Sequence, residues 1–458
     1  MRQRDPVKFL ASRRGFLVKT ARLVAAAGTG LSAGVLAPAT ADAKAQPAGA
    51  ISHRKELEPF WGLHQGGIVT PAQQHSYFAA FDLTTTKRED VIALLRSWTS
   101  AAARMAAGET AQPLHDGLTP VGGDSEANTK GYDDDMKRDP RTMAADSGEA
   151  LGLAAARLTV TFGFGAGLFV KDGKDRYGLA LRRPDALVDL PKFVGDQLVQ
   201  TDTGGDLSVQ ACADDPQVTF HAVRQLARLA ANVAQIRWAQ TGFIPNFGGK
   251  ETPRNLMGFK DGTINPAVSD PAAMERFVWV GNEGPNWMRG GSYVVVRRIR
   301  MALEHWDRMK VAFQEQTFGR HKYTGAPLGG QKEFDALDLD ATDKDGNAVI
   351  PENSHVRLAA AANNDGAQIL RRPYSYNEGV NFVAERWPPW RQGLEYDAGL
   401  FFVAYQRDPR AGFIKIFEKL SKFDMMNQFV THVGGGLFAC PGGISKGGFV
   451  AQGLFEEA

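Results

Sequence analysis

At 458 residues the chain is long enough for one large domain or two medium ones, each with a substantial core. Its formal charge is only +2 and no basic tract interrupts it, so it lacks the electrostatic footprint of a nucleic-acid-binding protein. The two cysteines, Cys212 and Cys440, are far apart and fit neither a Cys-x-x-Cys-His haem-attachment motif nor a zinc spacing. They read as two buried thiols or, in an oxidising compartment, as a disulfide.

Ser12-Arg13-Arg14-Gly15-Phe16-Leu17-Val18-Lys19 reads as a twin-arginine export signal, followed by the apolar run 23–36 and small-residue cleavage options at 39–41 and 41–43. A Gly/Ala-rich run this short makes a poor transmembrane anchor. Residues 1–43 are therefore set aside as a signal peptide. They carry Arg2, Arg4, Lys8, Arg13, Arg14, Lys19 and Arg22 against Asp5 and Asp42, a charge of +5, so the rest of the chain falls to −3. The twin-arginine route exports proteins already folded, commonly with a cofactor inserted beforehand. The expected destination is the periplasm or the medium.

After an irregular lead-in, residues 76–83 predict a strand by their aromatic content, and 88–107 a helix with Val91, Leu94, Leu95, Trp98 and Ala102 at helical spacing. A long polar stretch, 112–149, separates these from a strand over 157–164 and a Gly-rich run to about 189. Leu207-x-Val209-x-Ala211-x-x-x-Asp215-Pro216-x-x-x-Phe220 then recurs as Leu400-x-Phe402-x-Ala404-x-x-x-Asp408-Pro409-x-x-x-Phe413, each a strand running through Asp-Pro into an amphipathic helix. Self-similarity of this kind points to a duplicated unit. The first copy closes with a strand over 235–242. The second starts with a strand over 292–298 and a helix over 303–316, and resumes at 399 after an excursion, 317–398. The expected fold is α+β: two ferredoxin-like (split βαβ) domains, 44–245 and 246–458, with antiparallel sheets and peripheral helices.

Chemistry concentrates in the second half. In Gly258-Phe259-Lys260-Asp261-Gly262-Thr263-Ile264 a carboxylate stands between a lysine and turn-forming glycines, on a turn that looks free to shift. By itself this is an ordinary Asp-Gly turn. The excursion adds His355, and sixteen residues on Arg371-Arg372-Pro373-Tyr374, with Arg371 following the β-prone run Gln368-Ile369-Leu370. Of the other histidines, His221 and His305 read as helix residues and His321, beside Arg320 and Lys322, as a hydrogen-bonding group. His53, His64, His75 and His115 lie in irregular regions, and His432 lies near the C-terminus.

Gly258–Thr263, Ser354-His355-Val356-Arg357-Leu358, Ile369-Leu370-Arg371-Arg372 and Gly319-Arg320-His321-Lys322 with Gly325-Ala326-Pro327-Leu328 resemble the dye-decolourising peroxidases. They are most similar to the exported deferrochelatase/peroxidase branch linked to bacterial iron uptake, and the likeness runs in order along nearly the whole chain after the leader. The resemblance implies a non-covalent haem b in the C-terminal half, with His355 as the proximal iron ligand. It implies that Asp261 and Arg371 face the peroxide and that Phe259, Lys260, Gly262, Thr263, Ile264 and Arg372 contact the cofactor, Arg372 at a propionate. Which of Arg371 and Arg372 faces the peroxide stays open, as does the choice between Asp424 and Glu385 as the carboxylate behind His355. The chain departs from the family pattern where an Asn-Pro-Arg is often found: it has Ala359–Ala362 followed by Asn363-Asn364.

Peroxide bound opposite a haem must lose a proton from one oxygen and regain it on the other, which a positioned carboxylate can mediate. A guanidinium supplies fixed charge without losing a proton. The implied activity is a peroxidase using hydrogen peroxide and bulky organic electron donors, with release of iron from haem as a second activity and an iron-uptake permease as a partner. The alternative class is a non-catalytic haem-binding carrier in periplasmic iron acquisition. Monomer and homodimer stay open. Tyr374, Tyr376, Trp387 and Trp390, near Arg371 in sequence, read either as core or as a route for electrons to the surface.

Overall fold

In the computed structural model residues 57–114, 144–245, 251–384 and 392–456 are described, all within the compact unit His53–Ala458. The export signal and the larger part of the polar stretch 112–149 lie outside them. Among the described residues nine strands form the framework: β1 (His75–Leu83), β2 (Thr159–Phe164), β3 (Leu207–Ala213), β4 (Ala234–Phe243), β5 (Ser292–Met301), β6 (Leu370–Arg371), β7 (Tyr374–Ala384), β8 (Gln392–Gln406) and β9 (Val430–Cys440). Every pairing between them is antiparallel. The first four lie in the order β2-β3-β1-β4. The later set repeats that order as β7-β8-β5-β9.

Two separate sheets were expected, yet the two sets share one nine-stranded sheet. One-residue seams join them, Phe164↔Ala439 between β2 and β9 and Phe243↔Ser375 between β4 and β7. Together with the β5–β8 pairing they close the strands into a ring, which removes exposed edges. β2 and β3 are buried along their whole length, whereas β4 alternates buried and exposed residues. On β1, Phe78 and Ala80 enter an inner cluster with Trp238, Val296, Phe401 and Phe438, while Ala79 and Phe81 meet Val91, Leu95 and Trp98 in an outer one. Phe81 and Trp98 pack edge to face at 5.1 Å.

The outer face is covered by helices that begin as the sequence dictates. Arg88–Ala106 packs its Val91, Leu94, Leu95, Trp98 stripe inward, and Pro216–Leu229 starts at Asp215, whose carboxylate accepts from the N–H groups of Gln217 and Val218. The matching Asp408 accepts from Arg410 N (2.8 Å), but there the chain makes a π turn, Arg410–Ile414, before the helix Lys415–Phe423. The helix expected over 303–316 is two, Leu303–Trp306 and Val311–Phe318. Trp306 turns into the core, donating to Met257 O at 3.0 Å, and Gln314 caps the Trp306 carbonyl at 2.9 Å. The strand expected from 157 starts at Thr159 because Ala156 and Arg157 hold left-handed φ values of 47° and 56°. Cys212 and Cys440 are buried, unlinked thiols. Among the described residues no helix is long and apolar enough to cross a membrane.

The described end of the polar stretch is fastened to helix Pro216–Leu229. The buried His221 sits between two carboxylates, Nε2 3.4 Å from Asp146 and Nδ1 3.2 Å from Glu149. Asp146 also accepts from the N–H groups of Ala111 and Gly148. Burial by itself would lower the His221 pKa, but Asp146 and then Glu149 outweigh it and raise it. Burial likewise opposes ionisation of Asp146, yet His221 and the two backbone donors hold its pKa at about 2. A raised histidine contributes stability in full below its unfolded value of 6.5 and loses it as pH rises through the folded value; a depressed aspartate contributes above 3.8 and loses it as pH falls through about 2. The latch is therefore strongest between about pH 4 and 6.5. Wild-type protein is expected to lose on the order of 1 kcal/mol as pH rises above that window, and His221→Gln to show little of this loss, measured by urea unfolding across pH.

Candidate active site

The segment 251–266 folds as a tight loop because Gly258 and Gly262 take φ values of 87° and 117°. Asn255 ties it together: its Oδ1 accepts from Met257 N and Phe259 N, and its own N–H reaches Phe259 O at 2.9 Å. Asp261 N donates to Pro253 O at 2.9 Å. The loop is also clamped to β6, where Asn265 Nδ2 donates to Arg371 O at 2.7 Å and Asn265 Oδ1 accepts from Arg371 N at 3.2 Å. Asp261 is thus pinned, contrary to the shifting turn expected of its flanking glycines. Arg371 is held as expected, paired opposite Ala404 of β8. Its Nη1 donates to Asp261 Oδ1 at 2.5 Å, in an ion pair whose side chains are 26 % and 13 % exposed.

His355 opens the short helix His355–Ala359. Its Nδ1 lies 2.5 Å from Asp424 Oδ2, at the end of helix Lys415–Phe423. Of the two carboxylates the sequence offered, Asp424 is in place; Glu385 lies outside the described residues. With Nδ1 occupied, Nε2 has no protein partner among the described residues. His355 lies deep in the structure yet is 34 % open toward the cavity described below. Burial pushes its pKa down, and the Asp424 carboxylate more than reverses this. Arg371 and Asp261, which line the same cavity, also act on its charge, the first lowering and the second raising its pKa. A close approach fixes the helix: a Cβ at Gly319 (φ 81°) would come within 2.4 Å of Val356 Cγ1, so the loop that follows can pass only because residue 319 is glycine.

These groups converge on one cavity, lined by Lys260, Asp261, Gly262, Thr263, Ile264, His355 and Arg371 on its polar side, and by Ile299, Met301, Leu400, Phe402, Phe417 and Leu420 on its apolar side. Its empty space, counted out through the open mouth into solvent, is about 1510 Å³. Lys260 and Thr263 both hold Glu333, at 2.5 and 3.0 Å. Two residues expected at the cofactor stand elsewhere. Phe259 lies behind the wall, stacked on Phe318 at 3.9 Å, and Arg372 points away, donating to Thr70 O and Gln73 Oε1. Arg372 turns away because successive strand residues face opposite sides. Tyr374 and Tyr376 are fully buried, and Trp387 and Trp390 lie outside the described residues.

Two lining residues escaped the sequence reading. Arg320 stands in a stretch singled out only for its resemblance. His432, on β9, is buried by the fold, with its ring 4.5 Å from that of Phe417. Its burial and then the nearby Arg297 depress its pKa to about 3, so the imidazole is neutral. No sequence spacing marks His432, because it reaches the cavity through the register of β9 against β5.

The lining fits a haem: it is mostly apolar and brings to one cavity an imidazole whose Nε2 has no protein partner among the described residues and an Asp–Arg pair. Comparison with known proteins agrees. Family models described as Dyp-type peroxidase, N-terminal and C-terminal, match residues 65–244 and 252–445. A dye-decolorizing peroxidase of Thermobifida fusca is 37 % identical over the full length of both chains. A deferrochelatase of Escherichia coli K12 is 36 % identical over 85 % of each. Among solved structures, DtpA from Streptomyces lividans in an oxyferrous/water complex superposes with a TM-score of 0.74 at 38 % identity, covering 88 % of this chain and 98 % of its own. A DyP-type peroxidase from Streptomyces coelicolor does so with a TM-score of 0.74 at 40 % identity, covering 88 % and 97 %. Two family models that together span most of the sequence, and relatives this similar along it, place the chain in the Dyp-type peroxidase family.

Proposed function

We propose that this haem-dependent peroxidase binds haem b in the C-terminal cavity, where His355 would hold it and the Asp261–Arg371 pair would act on peroxide. The observation that carries this reading is their convergence: an imidazole oriented by a carboxylate and a carboxylate paired with a guanidinium line one cavity. Haem, when bound, supplies the iron at which peroxide is reduced and from which organic donors are oxidised. His355 offers that iron Nε2, and Asp424 fixes the ring and its tautomer from behind. Asp261 takes the proton from one peroxide oxygen and returns it to the other. Arg371 holds Asp261 in position and sets fixed positive charge beside the bond that breaks.

The same reading takes the chain as an internal duplication of a split βαβ unit, 44–245 and 246–458. The repeated strand order and the two Asp-Pro helix starts support it. The twin-arginine pattern Ser12–Lys19 supports export to the periplasm or outside the cell as part of this proposal. The deferrochelatases among its relatives support extending the proposal to removal of iron from haem in the same cavity, and an iron-uptake permease is proposed as a partner on the sequence resemblance alone. Reconstituting the purified protein with haem tests the site: a histidine-ligated ferric spectrum that changes rapidly on adding peroxide and recovers with an organic donor is expected. A haem spectrum indifferent to peroxide would leave a carrier, not an enzyme. Appearance of metal-free porphyrin fluorescence is the separate readout for iron release.

A further inference from the structure

The loop that carries Asp261 is held from outside by a carboxylate. Glu333 accepts from Lys260 Nζ at 2.5 Å and from Thr263 Oγ1 at 3.0 Å, so it grips the residue before Asp261 and the residue two after it. Its side chain is 10 % exposed and that of Lys260 13 %. Burial opposes ionisation of Glu333, but the hydrogen bonds from Lys260, Thr252 and Thr263 outweigh it and lower its pKa. The place of the pair is built into the loop that follows helix Val311–Phe318. Arg320, itself buried, donates from Nη1 to Gly325 O at 2.7 Å and to Glu333 O at 2.9 Å, which fixes the backbone on both sides of the pair. Gly325 (φ 76°) makes the room: a Cβ there would lie 2.8 Å from Lys260 Cδ and 3.4 Å from Glu333 Cγ.

Lys260 and Asp261 are neighbours in sequence and line the same cavity. An ammonium left unpaired there would offer Asp261 a second cation beside Arg371 and would favour its ionised form. We propose that Glu333 is a positioning residue for the peroxide reaction: it draws the Lys260 ammonium away from Asp261, neutralises it, and leaves Arg371 as the cation that meets the base. The inference rests on the reading of Asp261 as the group that moves the peroxide proton. Two observations carry it, the grip of Glu333 on both flanks of Asp261 and the pairing of Asp261 with Arg371 at 2.5 Å while Lys260 is bound elsewhere. The other charged groups around this loop among the described residues are Arg320, His355 and Asp424 on the cavity wall, Arg254, which donates to Gly258 O, and Lys322, which lies against Gly258. A comparison that changes only Glu333 and Lys260 leaves all of them, and Arg371, in place.

The test is a double-variant cycle on the haem-reconstituted protein, read as the pH dependence of the rate of spectral change after peroxide addition. A base must be unprotonated to act, so this rate has an acid limb. Glu333→Gln keeps an acceptor for Thr263 but removes the charge, and the freed ammonium should move the limb to lower pH by about one unit. Lys260→Met leaves the Glu333 carboxylate without its counter-ion and should move the limb upward. The double variant removes both charges and should return the limb close to its wild-type position. A role in holding the loop alone predicts that both single variants act in one direction and that the double is no better than the worse; that result, or a limb unmoved in both, overturns the proposal. In the apoprotein the nitrogen resonance of the Lys260 ammonium, protected from exchange by its partner, should be visible in wild type and lost in Glu333→Gln, and its persistence in that variant also overturns the proposal. If Glu333→Gln does not fold, the direction of the shift in Lys260→Met decides the matter. A wild type without an acid limb removes Asp261 as the base and the proposal with it, and the apoprotein resonance then separates that failure from a failure of the Lys260–Glu333 pairing.

Discussion

His355→Ala is expected to remove the imidazole signature from the ferric haem spectrum and to lower haem retention far more than any other single change in the cavity. His355 is the histidine that combines access to the cavity with a carboxylate on its second nitrogen. His432 also lines the cavity, but it is held neutral beside Phe417 and has no carboxylate behind it among the described residues. Asp424→Asn should act in the same direction but less, on the order of 10–100-fold in affinity, the usual effect of losing the group that orients a metal ligand. Asp424 also accepts from Met426 N at 2.8 Å, so its loss loosens the turn after helix Lys415–Phe423 as well as the imidazole. Absorption spectra and haem-transfer rates of the two variants check the order. If His355→Ala kept both the wild-type spectrum and occupancy, another residue would be the ligand.

Arg371→Leu should slow the spectral change that follows peroxide addition at least as much as Asp261→Asn, with haem retained in both. General-base assistance is typically worth roughly 10²–10⁴-fold and one preorganised charge-stabilising donor roughly 10²–10³-fold, so magnitudes alone do not rank them. The geometry does. Asp261→Asn leaves Arg371 fixed in β6 by Ala404 and Asn265, still charged and still facing the cavity, and water can carry the proton. Arg371→Leu removes the charge and also strands Asp261, 13 % exposed, without its counter-ion, weakening both functions at once. Rapid mixing of each reconstituted variant with peroxide measures the two rates. A nearly inert Asp261→Asn beside a nearly normal Arg371→Leu would make the carboxylate the indispensable group.

Much of the scaffold was legible in the chain because it is encoded locally. The helix stripe Val91, Leu94, Leu95, Trp98, the Asp215-Pro216 helix start and the glycines around Asp261 each act within a few residues, and each appears where it was expected. The repeated strand-Asp-Pro pattern foretold two sets of strands, although the second helix starts through a π turn. Where several local preferences are weak, as over 303–316, the burial of Trp306 against Met257 decided the outcome and split the helix.

By itself, then, the sequence determined the order of the elements, the tight turn carrying Asp261 and, through resemblance, the family. Only the tertiary structure decided which side chains meet. Asp424 lies 69 residues from His355 and Asp261 lies 110 from Arg371, separations at which no periodicity carries information. Closure of both strand sets into one ring was likewise hidden, because it depends on two single-residue seams between distant strands. The choice between neighbouring arginines was decided by strand geometry: pairing Arg371 with Ala404 turns Arg371 toward Asp261 and forces Arg372 to the other face.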